Sequence, residues 1–254
     1  MGNKYINTPN LDRMASEGVA FSHAFCQSPV CTPSRASFLT GRYPRSTRCR
    51  QNGQKIPADE VMLPKILRDE GYDCGLSGKL HTAPCHNVVE ERIDDGYRVF
   101  NWSHHQHPDW KENEYTQWHE SKGYKWKDIY PGPQGRYAFP GVPPELHQTT
   151  WCFDKAMEFI NEKRDSPWLF SINCFDPHHP FDPPKEYLER YDPDKLPDPD
   201  YVVGELKNKP IFQQVDHDGA YGGMLLAYSK MTPRERREVT AAYYAMVEHV
   251  DHNV

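Results

Sequence analysis

The chain has 254 residues, 37% hydrophobic and 26% charged, which is enough for a sizeable core and excludes wholesale disorder. Thirty-six acidic against thirty basic residues leave a net charge of −6, so the bulk charge is not built for a nucleic acid, and any anion site must be a local basic pocket. The seven cysteines are scattered, odd in number and without a CxxC pair, which argues against a disulfide framework. No stretch approaches the ~18 apolar residues of a membrane span, and MGNKYINTPN lacks the apolar run of a signal peptide.

Thr8 and Pro9 read as the N-cap and first turn of a short helix that puts Leu11, Met14 and Ala15 on one face and ends at Gly18. VAFSHAF (19–25) alternates like a strand. In CTPSRASFLTG, Thr32 reads as N-cap and Pro33 as the first residue of a helix running to Thr40, closed by Gly41. Cys31 then stands just outside the positive helix end, where unpaired N–H groups favour an anion. Arg35, four residues on, faces the same way, and its planar fork suits a tetrahedral oxyanion. Position alone leaves two readings of Cys31: an activated thiolate, or a buried cysteine at a helix start.

Another short helix is expected over 64–70, followed by the buried strand YDCGLSG, with Lys79 and His81 just past its end. Residues 101–144 show no regular period and read as a long insertion whose Trp102, Trp110, Trp118 and Trp126 either stack on a sugar or pack the loop itself. HHQH (104–107), with Cys85 and His86 upstream, offers metal-ligating side chains at neither helical nor hairpin spacing; a sugar-contacting or exposed loop is the preferred reading. A helix over 145–164 leads into the strand PWLFSINCF (167–175), which stops at DPHHP, where His178 lies. Pro-rich loops follow, and Thr232, Pro233 and Glu235 open a long helix whose apolar side is Val239, Ala242, Tyr243, Met246 and Val250.

Alternating helices and strands predict an α/β fold with a largely parallel sheet, whose working residues lie beyond the carboxyl ends of the strands. Cys31, Lys79, His81 and His178 are the candidates at such places.

Cys31-Thr-Pro33-Ser-Arg35 followed by Leu39-Thr-Gly41-Arg42 resembles the signature of the type I sulfatases of the alkaline phosphatase-like superfamily. TPNLDRMASEGVAFSHAF, LPKILRDEGYDCGLSGKLH and FDPHHPFDPP are similar to that family's segments before the signature, after it and at its later histidine loop. The resemblance implies a sandwich with a mainly parallel central sheet flanked by helices. It also implies one partial N-terminal catalytic domain over 1–254, with 101–144 and 195–230 as long loop insertions.

The implied activity is hydrolysis of a sulfate ester, in a carbohydrate or another organic substrate, through a formylglycine hydrate made from Cys31. A formylglycine-generating or anaerobic maturation enzyme would install the aldehyde, and a calcium or magnesium ion would bind it. Arg35 would hold the hydrate, Lys79 would bind sulfate and approach the leaving oxygen, His81 would contact the diol, and His178 would bind sulfate and protonate the leaving alcohol. Hydrolysis of phosphonate monoesters or phosphodiesters, and an inactive glycan-binding relative, remain alternatives. The resemblance favours a periplasmic or secreted setting. The family's other cation ligands, an Asp-Asp pair on a first strand and an Asp with Asn or His after the long helix, match nothing here, so the chain reads as an internal fragment lacking that strand and the C-terminal part.

Overall fold

The computed structural model describes residues 2–86, 88–105, 112–219 and 226–254. In chain order its α-helices are α1 (Pro9–Glu17), α2 (Cys31–Thr40), α3 (Pro44–Thr47), α4 (Leu63–Asp69), α5 (Glu114–Ser121), α6 (Trp126–Ile129), α7 (Gln148–Ile160), α8 (Lys185–Leu188), α9 (Ile211–Gly219) and α10 (Pro233–Asn253). The strands are β1 (Asp73–Gly78), β2 (Val99–Trp102) and β3 (Trp168–Asn173). The chain forms two compact units, one of Met1–Glu17, Lys127–Pro144 and Asp176–Val254, the other of Gly18–Trp126 and Glu145–Phe175.

The second unit holds the sheet, ordered β2-β1-β3 and parallel throughout, with Gly78 of β1 opposite both Trp102 and Asn173. Successive side chains of β1 point to opposite faces, and both faces are covered. Cys74 and Leu76 join a core with Ala36, Leu39, Ile56 and Met62 on the side of α2 and α4. Gly75 and Ser77 turn toward α7: Ser77 Oγ donates to the Cys152 carbonyl at 2.8 Å, and a Cβ on Gly75 would meet the Phe170 and Phe159 rings. Two covered faces explain why β1 reads as a near-continuous buried run.

In the first unit α10 starts in a full capping box. Glu235 N–H donates to Thr232 Oγ1 at 3.2 Å, and the Glu235 carboxylate accepts the Thr232 N–H at 2.8 Å. Ala241 and Ala245 pack against Tyr187, Tyr191 and Leu196. The buried stripe of α10 is rotated from the expected one: Tyr243 is exposed, and Glu248, His249 and Asp251 are buried. Asp251 is inside because it caps α1, accepting the N–H groups of Leu11 at 2.7 Å and Asn10 at 3.2 Å.

Three local expectations are corrected. Residues 19–25 form no strand, and Phe21 and Phe25 are exposed; the alternating segment pairs with none of the strands of the β2-β1-β3 sheet, and an unpaired strand has no ladder to hold it extended. The region 101–144 is not without regular structure, because it contains the end of β2 together with α5 and α6. Trp102 is buried, while Trp118 and Trp126 pack around Tyr115 and Trp151 as core rather than as a sugar platform; Trp110 lies outside the described residues. The region 195–230 likewise carries α9 and short 3-10 turns. No helix among the described residues is long and apolar enough to cross a membrane.

Candidate active site

Parallel strands end on the same side, and the loops that leave β1, β2 and β3 there carry most of the polar residues of interest in the second unit. Gly78 ends β1 with φ +93°, and a Cβ there would stand 2.2 Å from the Asn173 carbonyl oxygen. Only glycine allows this close turn, which delivers Lys79. Lys79 stays tied to the sheet, its N–H donating to the Asn173 carbonyl at 2.9 Å and its own carbonyl accepting Asn173 Nδ2 at 3.0 Å. The same carbonyl accepts Arg35 Nη1 at 2.6 Å, which fastens α2 to the end of β1 and sets the two cationic residues side by side.

Cys31 is half-buried and is the first residue of α2, where the sequence placed it one step outside. Val30 is the N-cap and makes no side-chain cap bond, and Thr32, expected as the cap, is wholly buried. Asn52 takes over the role from a distant loop, its Oδ1 accepting the Thr32 N–H at 2.9 Å, while the Ser34 N–H bonds to the Val30 carbonyl at 3.0 Å. These N–H groups are therefore engaged within the fold, and the expected open anion cradle is corrected: Arg35 and Lys79 bring the positive charge to Cys31.

Lys79 is 4% exposed, and burial pulls its pKa from 10.5 down to about 8; neighbouring Arg35 pushes the same way and Cys31 the opposite way. At neutral pH it is still mostly charged, yet it gives up its proton far more readily than a surface lysine. Its ammonium lies 5.5 Å from the centre of the Phe175 ring. Burial also lowers the Arg35 pKa from its usual value, with Cys31 and Glu90 opposing the change.

His81 sits in the left-handed region at φ +56°, and a residue that sequence reasoning missed holds it there. Glu90, 3% exposed, accepts the His81 N–H and the Thr82 N–H, each at 2.7 Å, and Trp102 Nε1 at 3.0 Å. Burial raises its carboxyl pKa, and these donors counter the rise. Glu90 thus clamps the loop after β1 to the end of β2. In sequence it is one acid in VEERIDD, a stretch that reads as solvated surface, and nothing local separates it from Glu91.

The structure therefore gathers Cys31, Arg35, Lys79 and His81 in the second unit. His178 belongs to the first unit; it is half-buried, and its Nδ1 donates to the His179 carbonyl at 2.6 Å. A calcium ion needs a cage of six to eight oxygen ligands. Among the described residues of the second unit, no metal-ligating cluster includes Cys31; its charged neighbours are Arg35 and Lys79, and Glu90 is occupied by backbone N–H groups. These residues do not fit a calcium site by themselves.

The model of the family described as Sulfatase matches residues 1–254. The chain is 29% identical over 271 residues to an arylsulfatase of Clostridium perfringens, covering 100% of this chain and 54% of that protein. Among solved structures, the phosphonate monoester hydrolase of Agrobacterium radiobacter superposes with a TM-score of 0.82 at 24% identity, over 99% of this chain and 54% of that one. A protein solved with its substrate D-glucosamine-2-N,6-O-disulfate does so with a TM-score of 0.62 at 20% identity, over 99% and 56%. These likenesses show the alkaline phosphatase-like fold, with a parallel sheet flanked by helices. The chain spans about half the length of these relatives.

Proposed function

The chain belongs to the sulfatase family, in general a formylglycine-dependent and metal-binding one, and on that premise we propose that it forms the part of a sulfuric ester hydrolase that carries the nucleophile and sulfate-binding residues. The observation that carries the reading is the bond from Arg35 to the Lys79 carbonyl, which holds two cations beside Cys31 at the carboxyl end of the central strand. Two adjacent cations, one with a planar fork and one buried, suit a tetrahedral sulfate ester, which is monoanionic, together with the charge on an ionised oxygen nucleophile. In this reading both units belong to one catalytic domain, as the full-length family match supports.

Formylglycine made from Cys31 supplies, as its hydrate, the oxygen nucleophile for sulfur. In this reading the aldehyde is installed before α2 packs, because Thr32, Pro33 and Ala36 beside Cys31 are buried in the folded chain. Arg35 orients the nucleophile and offsets its charge. Lys79 binds a sulfate oxygen and approaches the departing oxygen, where its ammonium, still mostly charged at neutral pH with a pKa of about 8, offsets the developing negative charge. His81, fixed by Glu90, faces the nucleophile. His178, with its Nδ1 proton committed to the His179 carbonyl, exchanges a proton through Nε2 with the leaving alcohol. Calcium or magnesium belongs to this reading only with further oxygen ligands, and no step here depends on it.

The test is hydrolysis of an aryl sulfate by protein co-expressed with a formylglycine-generating enzyme, together with the intact mass of the peptide containing Cys31. Turnover that requires the mass change and disappears in Cys31→Ala, with folding near normal, is the expected result. An unmodified thiol in an active preparation contradicts the reading. Faster cleavage of an aryl phosphonate ester transfers the same site to phosphonate chemistry.

A further inference from the structure

We infer that His81, Cys85 and His104 form a binding site for a soft divalent cation, zinc by its ligand preference, distinct from the calcium site that the family resemblance implies. The three residues lie far apart in sequence at spacings typical of no metal motif, and strand pairing brings them together. His81 and Cys85 lie on the loop that leaves β1, and His104 is two residues past the end of β2. Because Gly78 pairs with Trp102 in a parallel ladder, the two loops start side by side.

Cys85 Sγ is 3.3 Å from His104 Nδ1, and the His81 and His104 rings meet edge to face with centroids 4.5 Å apart. One ligand atom from each residue lies within 4.8 Å of the other two. Ligands at ~2.0–2.3 Å from a tetrahedral zinc ion stand roughly 3.3–3.8 Å from one another, so a contraction of about an ångström closes the site. Two imidazoles and a thiolate select a soft ion over calcium or magnesium, and three protein ligands leave a fourth position open.

The surroundings support such a site. Glu90 accepts from the His81 backbone and from Trp102 Nε1, so one buried carboxylate braces both ligand-bearing segments. Its negative charge, with that of a Cys85 thiolate, offsets Lys79 and Arg35 nearby. Cysteine ligates as the thiolate, so an ion entering the site displaces the Cys85 proton. An ion held here also takes His81 away from the role proposed for it above. That consequence rests on the catalytic reading; the metal site itself does not.

The experiment titrates the metal-stripped chain with cobalt(II) and then displaces it with zinc. Expected is one equivalent with a thiolate-to-cobalt charge-transfer band and the intense visible bands of a four-coordinate site. The charge-transfer band disappears in Cys85→Ser, affinity falls at least about tenfold in His104→Ala, and both signals persist in Cys26→Ser, whose cysteine is exposed. X-ray absorption of the zinc-loaded chain reads the ligands without any variant, and one sulfur with two imidazole nitrogens is the expected shell. A chain that takes up no metal, a zinc shell without sulfur, or a charge-transfer band that survives Cys85→Ser overturns the inference.

Discussion

Lys79→Met tests whether the fold bears the cost of a buried cation for the sake of the site. The Lys79 pKa falls from 10.5 to about 8 because burial penalises the ammonium. At ~1.4 kcal/mol for each tenfold change, that difference corresponds to about 3 kcal/mol of stability withheld while the side chain is charged. Below about pH 8 folded and unfolded chains both keep the proton, and the full penalty applies. Between about 8 and 10.5 the folded chain has released a proton that the unfolded chain retains, so stability rises with pH; above 10.5 both are neutral and the penalty is gone. Methionine keeps the length and apolar stem without the charge. The variant should therefore gain up to about 3 kcal/mol in urea unfolding at neutral pH, lose the alkaline rise, and bind no sulfate ester. If the variant were no more stable than the parent at neutral pH, and the parent's stability stayed flat through the alkaline range, the burial argument for Lys79 would fail.

Glu90→Gln replaces one of two accepting oxygens by an amide donor that faces a backbone N–H. Leaving that buried donor unpaired should cost about 1–3 kcal/mol in chemical denaturation and, in the active enzyme, lower kcat more than it raises KM; unchanged stability would remove Glu90 as the brace of His81. Gly78→Ala puts a Cβ 2.2 Å from the Asn173 carbonyl at φ +93°. It should destabilise by more than about 2 kcal/mol, measured as a fall in thermal midpoint, whereas Gly123→Ala, also at positive φ but with no atom near its Cβ, should cost less.

Sequence alone determined what depends on neighbours along the chain. The capping box at Thr232, the helix over Pro9–Glu17 and the buried run of β1 are all local patterns of spacing, φ preference and apolar period, and each is found where it was expected. Lys79 and His81 were legible because a glycine-ended strand followed by polar residues marks a loop at the carboxyl edge of a parallel sheet. Tertiary structure decided the rest, because those contacts join residues between which the chain carries no signal. Asn52 rather than Thr32 caps α2, Asp251 rather than a local side chain caps α1, and Glu90 is buried while its neighbour Glu91 is exposed. The strand expected at 19–25 fails for the same reason: alternation states which face a side chain prefers, but only pairing with a partner strand makes a ladder, and this segment pairs with none of the three. Cys85 and His104 meet because β1 and β2 run parallel and end together, a juxtaposition set by hydrogen-bond register.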